Sequence, residues 1–409
     1  MEIEELLRAE APQVLGALVR RFSRFDTAED ATQEALLVAS RRWPEEGIPD
    51  DPRSWLIRVG YRRMVDLLRS EQAARRREQE VAQADPAIVD PAGPAPRVAD
   101  QDDGLLLLFL CCHPALSPPS QVALTLRAVG GLTTAEIARA YGAAERSMST
   151  RISRAKQTLK DSGARFTAPT DEHDERIAAV MHVLYLIFNE GYTATGGDRL
   201  ARTDLSAEAI RLTRMLHRLL PDDGEVTGLL ALMLLTDSRR TTRADDTNEL
   251  VQLEDQDRSR WDQAQIGEGA ALIEAAWTRR AVGPYQLQAA IAAIHAQSAK
   301  AAETDWPQIA ALYLWLERLA PTAPIRLSRV VAVSKAFGPQ RALALLDELN
   351  RTHQLAEDPL VQHRAAAVRA HLLESTGKPA EARAAYLTAA GLTTNEVERR
   401  YLLNRARSL

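Results

Sequence analysis

The stretch from residue 81 to 103 constrains the chain most. It carries Asp85, Asp90, Asp100, Asp102 and Asp103 against Arg97 alone, and it contains Pro86, Pro91, Pro94 and Pro96. With few large apolar side chains it cannot bury enough surface to offset the ordering of its backbone, and its prolines remove hydrogen-bond donors. It reads as an extended linker, so folding must take place on either side of it. The length of 409 residues also suggests two or three domains. The expected divisions are a small domain over 1–78, a linker over 79–102 and a second small domain over 103–165. Thr167-Ala168-Pro169-Thr170 marks the next boundary, followed by 171–300 and 301–409.

Composition selects the kind of element. Aromatic residues make up 5 % of the chain and hydrophobic residues 45 %, with Ala, Leu and Arg prominent, a mixture that favours helix over sheet. The expected fold class is all-α. No window holds 18 uninterrupted apolar residues, so no membrane span is expected. The acidic start MEIEELLRAE does not read as a secretory signal. Cys111 and Cys112 are adjacent and cannot build a disulfide framework, so a cytoplasmic protein is expected.

Residues 120–160 hold the strongest local pattern. A helix fits 120–128 and Gly130-Gly131 breaks it. Thr133 or Thr134 can cap the next helix, with Glu136 in its first turn, and Gly142 ends it. A third helix runs from near Ala144 to about Lys160, with Met148, Ile152, Ala155 and Leu159 on one stripe. Arg146, Ser147, Ser149, Thr150, Arg151, Ser153 and Arg154 lie off that stripe. This is the layout of a helix-turn-helix whose outward arginines and hydroxyls suit base edges and phosphates. An ordinary hairpin with a solvated basic face is the rival, and the agreement of turn, cap and outward residues favours DNA binding.

Two earlier helices leave both readings open. Over 27–43, Asp30, Gln33, Glu34, Leu37 and Arg41 share one face, and Ala28, Ala31, Ala35, Val38 and Ala39 the other. A leucine within an acidic face suits a protein contact, or is one stray apolar residue on a solvated face. Residues 58–77 hold seven arginines (58, 62, 63, 69, 75, 76, 77) against Asp66 and Glu71. With Trp43, Trp55 and Tyr61 nearby, the helix over 54–77 suits a surface that tracks a nucleic-acid backbone and stacks bases, or is a solvated charged helix.

Beyond 171 the pattern is almost wholly helical. A strongly apolar segment with Val183, Leu186 and Ile187 is expected to end at Asn189-Glu190-Gly191, residues 225–235 to form a buried helix, and 236–262 a loop with a short helical turn. Gly338, Ala342, Leu346 and Leu349 nearly repeat the spacing of Gly377, Ala382, Tyr386 and Ala389, which suggests hairpins of the tetratricopeptide kind.

Three segments, in order, resemble the extracytoplasmic-function (group IV) sigma factors of bacterial RNA polymerase: AEDATQEALLVASRRW (28–43), PRSWLIRVGYRRMVDLLRS (52–70) and LTTAEIARAYGAAERSMSTRISRAK (132–156). DDGLLLLFLCCHPAL (102–116), LYLIFNEGY (184–192), LEDQDRSRWD (253–262) and GPYQLQAAIAAIHA (283–296) resemble the subgroup with a long C-terminal extension carrying tetratricopeptide-like repeats. The resemblance implies a promoter-directing subunit without covalent chemistry. It implies that Asp30, Gln33, Glu34, Leu37 and Arg41 dock on core polymerase at the β′ clamp, with a further contact to the β flap. It implies that Trp55, Arg58, Arg62, Arg63 and Arg69 serve the −10 element, with Asp66 orienting. Arg146, Ser147, Ser149, Thr150, Arg151 and Arg154 would serve the −35 element. The linker would thread toward the RNA exit path. One departure is Arg62, where family members commonly have Asn. The extension is expected to regulate, and its repeats could receive a regulatory protein or peptide. The other reading of the residues is a free-standing helix-turn-helix regulator whose helical domain senses a ligand or partner.

No catalytic constellation stands out. There is no P-loop, Rossmann fingerprint, G-x-S-x-G elbow or H-E-x-x-H pattern, and neither enzyme activity nor a cofactor or metal is expected. Cys111-Cys112-His113 reads as buried core rather than a metal or redox sensor. Asn189-Glu190-Gly191-Tyr192 reads as a helix cap and turn rather than a catalytic pair.

Overall fold

A computed structural model describes residues 3–79, 102–141, 143–164, 166, 173–193, 203–245, 249–278, 281–358 and 361–409. Among them every regular element is a helix, apart from an isolated bridge between Ala244 and Leu250. The linker expected over 79–102 lies almost wholly outside the described residues. The chain divides into two compact units, Met1–Leu186 and Ile187–Leu409.

The first unit opens with α1 (Ile3–Phe22), α2 (Phe25–Glu46) and α3 (Pro52–Gln79), which pack on one another. Ala28, Ala31, Ala35 and Ala39 form a fully buried stripe on α2. With so little side chain there, Val14, Leu15 and Leu18 of α1 and Leu56 and Met64 of α3 fill the core between the helices. Gly47 closes α2 at φ 85°, its N–H donating to the Trp43 carbonyl at 3.0 Å. Then follow α4 (Asp102–Cys111), α5 (Pro118–Ala128), α6 (Thr134–Ala140) and α7 (Glu145–Asp161). Cys111 and Cys112 are buried here, as expected, and Gln121 Nε2 donates to the carbonyls of Cys112 (3.2 Å) and His113 (3.1 Å). α1 also packs on α4, where a Cβ added at Gly16 would stand 2.6 Å from Asp103 Cβ. Only glycine permits that approach.

The next helix, α8 (His173–Tyr192), ends one residue past the expected stop at Asn189-Glu190-Gly191. The helix runs through Gly191. A Cβ there would lie 2.3 Å from the Ser206 backbone nitrogen, so this glycine allows a close helix crossing in the last turn. Residues 189–192 form the last turn of the helix, the Thr193 N–H donating to the Asn189 carbonyl at 2.8 Å.

The second unit contains α9 (Thr203–Leu219), α10 (Gly224–Asp237), α11 (Gln263–Trp277), α12 (Pro284–Gln297) and α13 (Trp306–Leu319). α10 is buried on all sides against α9, α11 and α12, which is why its sequence is apolar throughout. The polar stretch after it forms two 3-10 turns, 240–242 and 258–260. Next come α14 (Ala323–Phe337), α15 (Pro339–His353), α16 (Gln362–Ser375), α17 (Pro379–Leu392) and α18 (Glu396–Ser408), each packed on its neighbour in the chain. Gly338 (φ 95°) and Gly377 (φ 76°) turn two hairpins whose second helices bury Ala342, Leu346 and Leu349, and Ala382, Tyr386 and Ala389. The repeated spacing is therefore a repeated packing position. No helix among the described residues is long and apolar enough to cross a membrane.

Candidate nucleic-acid interface

The helix-turn-helix is formed by α6 and α7. Thr133 caps α6: its Oγ1 accepts from the Glu136 N–H at 3.2 Å, and Glu136 Oε2 accepts from the Thr133 N–H at 2.7 Å. Burial alone would raise the Glu136 carboxyl. The Thr133 hydrogen bonds and the neighbouring Arg8 and Arg139 outweigh that and hold it below its ordinary value. α7 buries Met148, Ile152, Ala155 and Leu159, the predicted stripe. Burying each large member contributes about 1.5–3 kcal/mol and fixes the rotation of the helix. Arg146, Ser147, Ser149, Thr150, Arg151 and Arg154 are consequently all exposed. The Thr150 hydroxyl donates back to the Arg146 carbonyl at 2.9 Å, which leaves the arginines as the long-reaching groups.

On α2 the polar face is also formed as the sequence suggests. Leu37 is 50 % exposed, beside exposed Asp30 and Arg41 and half-buried Gln33 and Glu34. Part of this face is already occupied. Asp30 Oδ1 lies 3.0 Å from Lys156 Nζ on α7, and Gln33 Nε2 donates to the Arg127 carbonyl at 3.5 Å. Glu34 pairs with Arg63 of α3, Nη2 to Oε1 at 2.9 Å.

The basic helix α3 presents Arg58, Arg62 and Arg69 to solvent, with Asp66 exposed among them. Arg63 is different, being held by Glu34. Trp55 is half-buried and packs edge-on against Trp43, with ring centroids 5.5 Å apart. Two of the three aromatics named for base stacking are not free surface. Trp43 is 3 % exposed in the core, and Tyr61 packs on Phe22 at 5.3 Å. A helix of this length must anchor itself on its neighbours, and its aromatics do that.

Sequence reasoning missed Glu29. It is 1 % exposed and lies between two cations, Arg127 Nε at 2.8 Å and Lys156 Nζ at 2.5 Å. Arg8 Nη2 pairs with Glu136 at 3.2 Å, and Arg20 with the fully buried Asp103. With Asp30–Lys156, five ion pairs among the described residues thus tie α1 and α2 to α4–α7. Glu29 stands between Ala28 and Asp30 with no local sign of burial, and its partners lie far along the chain.

Comparison with known proteins agrees with this order of parts. Residues 6–74 match the model for sigma-70 region 2, residues 106–159 that for sigma-70 region 4, and residues 176–277 that of a family of unknown function (DUF6596). The chain is 42 % identical over 403 residues to an uncharacterized protein of Rhizobium meliloti, an alignment covering 98 % of this chain and 94 % of that one. It is 29 % identical over 172 residues to a probable ECF RNA polymerase sigma factor, SigI, of Mycobacterium tuberculosis, covering 42 % of this chain and 58 % of that one. No solved structure matches. With sigma-70 region 2 on α1–α3, region 4 on α4–α7 and a long helical extension behind them, the chain is an RNA polymerase sigma factor similar to those of the extracytoplasmic-function group.

Proposed function

We propose that this sigma factor holds core polymerase through the α2 face and reads promoter DNA with α3 and α7. Asp30, Gln33, Glu34, Leu37 and Arg41 meet the β′ clamp, with region 4 on the β flap. Arg58, Arg62, Arg63 and Arg69, with Trp55, attend the melted −10 strand. Arg146, Ser147, Ser149, Thr150, Arg151 and Arg154 enter the major groove at −35. The observation that carries the reading is α7: four apolar residues are buried, and every candidate DNA-reading residue is exposed around its first turns. Unstacking a base costs a few kcal/mol, which the basic α3 surface offsets through phosphate contacts.

Docking through Asp30 and Gln33 displaces Lys156 and the Arg127 carbonyl, so polymerase binding and the region 2–region 4 contact compete. The extension regulates this exchange, and its hairpins offer a surface for a protein or peptide. Co-purification with bacterial core polymerase tests the central claim. Full-length protein is expected to bind stoichiometrically and Leu37→Asp to lose binding, because a carboxylate replaces an apolar anchor. Undiminished binding by Leu37→Asp would remove the α2 face from the interface.

A further inference from the structure

Three segments outside the two sigma regions meet around one cavity in the second unit. It has a volume of about 280 Å³ and lies between α10, α12 and α13, roofed by the 253–261 segment. Its wall is divided by chemistry. Leu235, Trp261 and Ile291 supply apolar surface, while Arg239, Gln288 and His295 supply polar groups.

Arg239 lines the cavity, and Arg243 and Arg258 lie near enough to feel its charge. Arg243 is spent on the Tyr192 carbonyl and on Thr193 Oγ1 (2.9 Å), with its guanidinium 3.7 Å from the Tyr192 ring centroid. Arg258 donates to the carbonyls of His295 and Ser298, each at 2.7 Å, and lies over Trp261. Among the described residues Arg239 reaches only the Tyr192 ring, at 5.5 Å. Among the described residues none of the three forms an ion pair with a carboxylate, and Glu398 and Glu303 act on Arg243 and Arg258 only through space. His295 Nδ1 is buried without a hydrogen-bond partner. Burial and the two nearest arginines, Arg239 and Arg258, push that imidazole down to about 4, so it is neutral at physiological pH. Clustered cations with no carboxylate in direct contact are costly in a partly desolvated site, and a bound anion relieves that cost.

We propose that this cavity binds a small organic carboxylate, its charge paired with Arg239 and its apolar body against Leu235, Trp261 and Ile291. A cationic wall excludes metal ions. Two of the three arginines are already committed to backbone, so the guanidinium left without an anion among the described residues, Arg239, matches a monoanion. The volume sits at the small end of ligand pockets, enough for a one-ring or short-chain acid and too little for a nucleotide. Neutral His295 and Gln288 add hydrogen bonds without adding charge.

The test is direct binding to the full-length protein, a readout independent of transcription. Benzoate and hexanoate are titrated by calorimetry and saturation-transfer NMR, with benzamide as the uncharged counterpart and inorganic phosphate as the plain anion. At least one acid is expected to bind once per chain, with benzamide about tenfold weaker or worse. Arg239→Gln is expected to lose about tenfold or more, the scale of a charged hydrogen bond. Ala292→Phe, which fills the cavity and keeps the charge, is expected to abolish binding and guards against a folding defect in the first variant. Melting curves establish that both variants are folded. No binding of either acid at about 10 mM by the folded wild type overturns the proposal. So does benzamide binding as well as benzoate, phosphate binding as tightly as the acids, or undiminished affinity in a folded Arg239→Gln or Ala292→Phe.

Discussion

Single residues here show how environment overrides residue type. Cys111 and Cys112 could have been a redox pair. Burial instead pushes both thiols up, Cys112 to about 12 despite its contact with the Thr125 hydroxyl. Since the thiolate is the reactive form, native protein at pH 8 is expected to resist alkylation by iodoacetamide, and both thiols to react once it is unfolded in guanidinium. Mass spectrometry of the two samples checks this, and rapid native labelling of either cysteine would disprove the burial. Glu29 is the opposite case, a residue of surface type inside the fold. Its neutralisation by Arg127 and Lys156 makes it tolerable there, and no property of Glu29 itself announces it.

At the scale of elements, α6 and α7 were the most legible, because their signals are local. The capping box needs only Thr133 and Glu136, and the α7 stripe needs only a period of 3.6. The box makes acid stability predictable. Glu136 is held below its ordinary value of 4.5, so it contributes stability that is present above that pH and lost as pH falls through the lower folded value. Glu136→Gln is expected to cost about 0.5–1 kcal/mol at pH 7 and to flatten the acid limb of the stability curve, measured by urea melts across pH. An acid limb identical to wild type would mean that another carboxyl dominates. For α7, Arg151→Ala is expected to weaken promoter binding and lower the salt-dependence slope by about 1, read by fluorescence anisotropy at several salt concentrations. An unchanged slope removes Arg151 from the phosphate contacts. The packing role of Gly191 at the end of α8 was illegible for a physical reason. Glycine is a helix breaker in isolation, and only the approach of the Ser206 backbone makes Gly191 a packing residue.

At the scale of the molecule, the first unit extends beyond its two sigma regions. The Arg176 guanidinium donates to the Phe109 carbonyl, and the His173 ring meets Phe109 edge-on at 5.6 Å. A fragment of residues 1–186 is therefore expected to melt above one of residues 1–170, by roughly 2–4 °C per kcal/mol recovered. If the extension regulates, both fragments should differ from the full chain in transcription with core polymerase. Equal melting of the fragments would mean that the start of α8 stabilises nothing. Transcription unchanged by removing the extension would assign it another task.

By itself the sequence determined the all-helical class, the helix-turn-helix with its outward arginines, the exposed Leu37 on α2 and the hairpin spacing of the last third. Each of these is written in residues within a few turns of one another. Only the tertiary structure decided that Lys156 and the Arg127 carbonyl cover part of the α2 face, that Arg63 is held by Glu34, that Trp43 is core and Tyr61 packs on Phe22, and that Arg239, Trp261 and His295 surround one cavity. Periodicity fixes which way a side chain points from its own helix. What it meets there depends on segments more than a hundred residues away, whose placement follows from packing the whole unit at once.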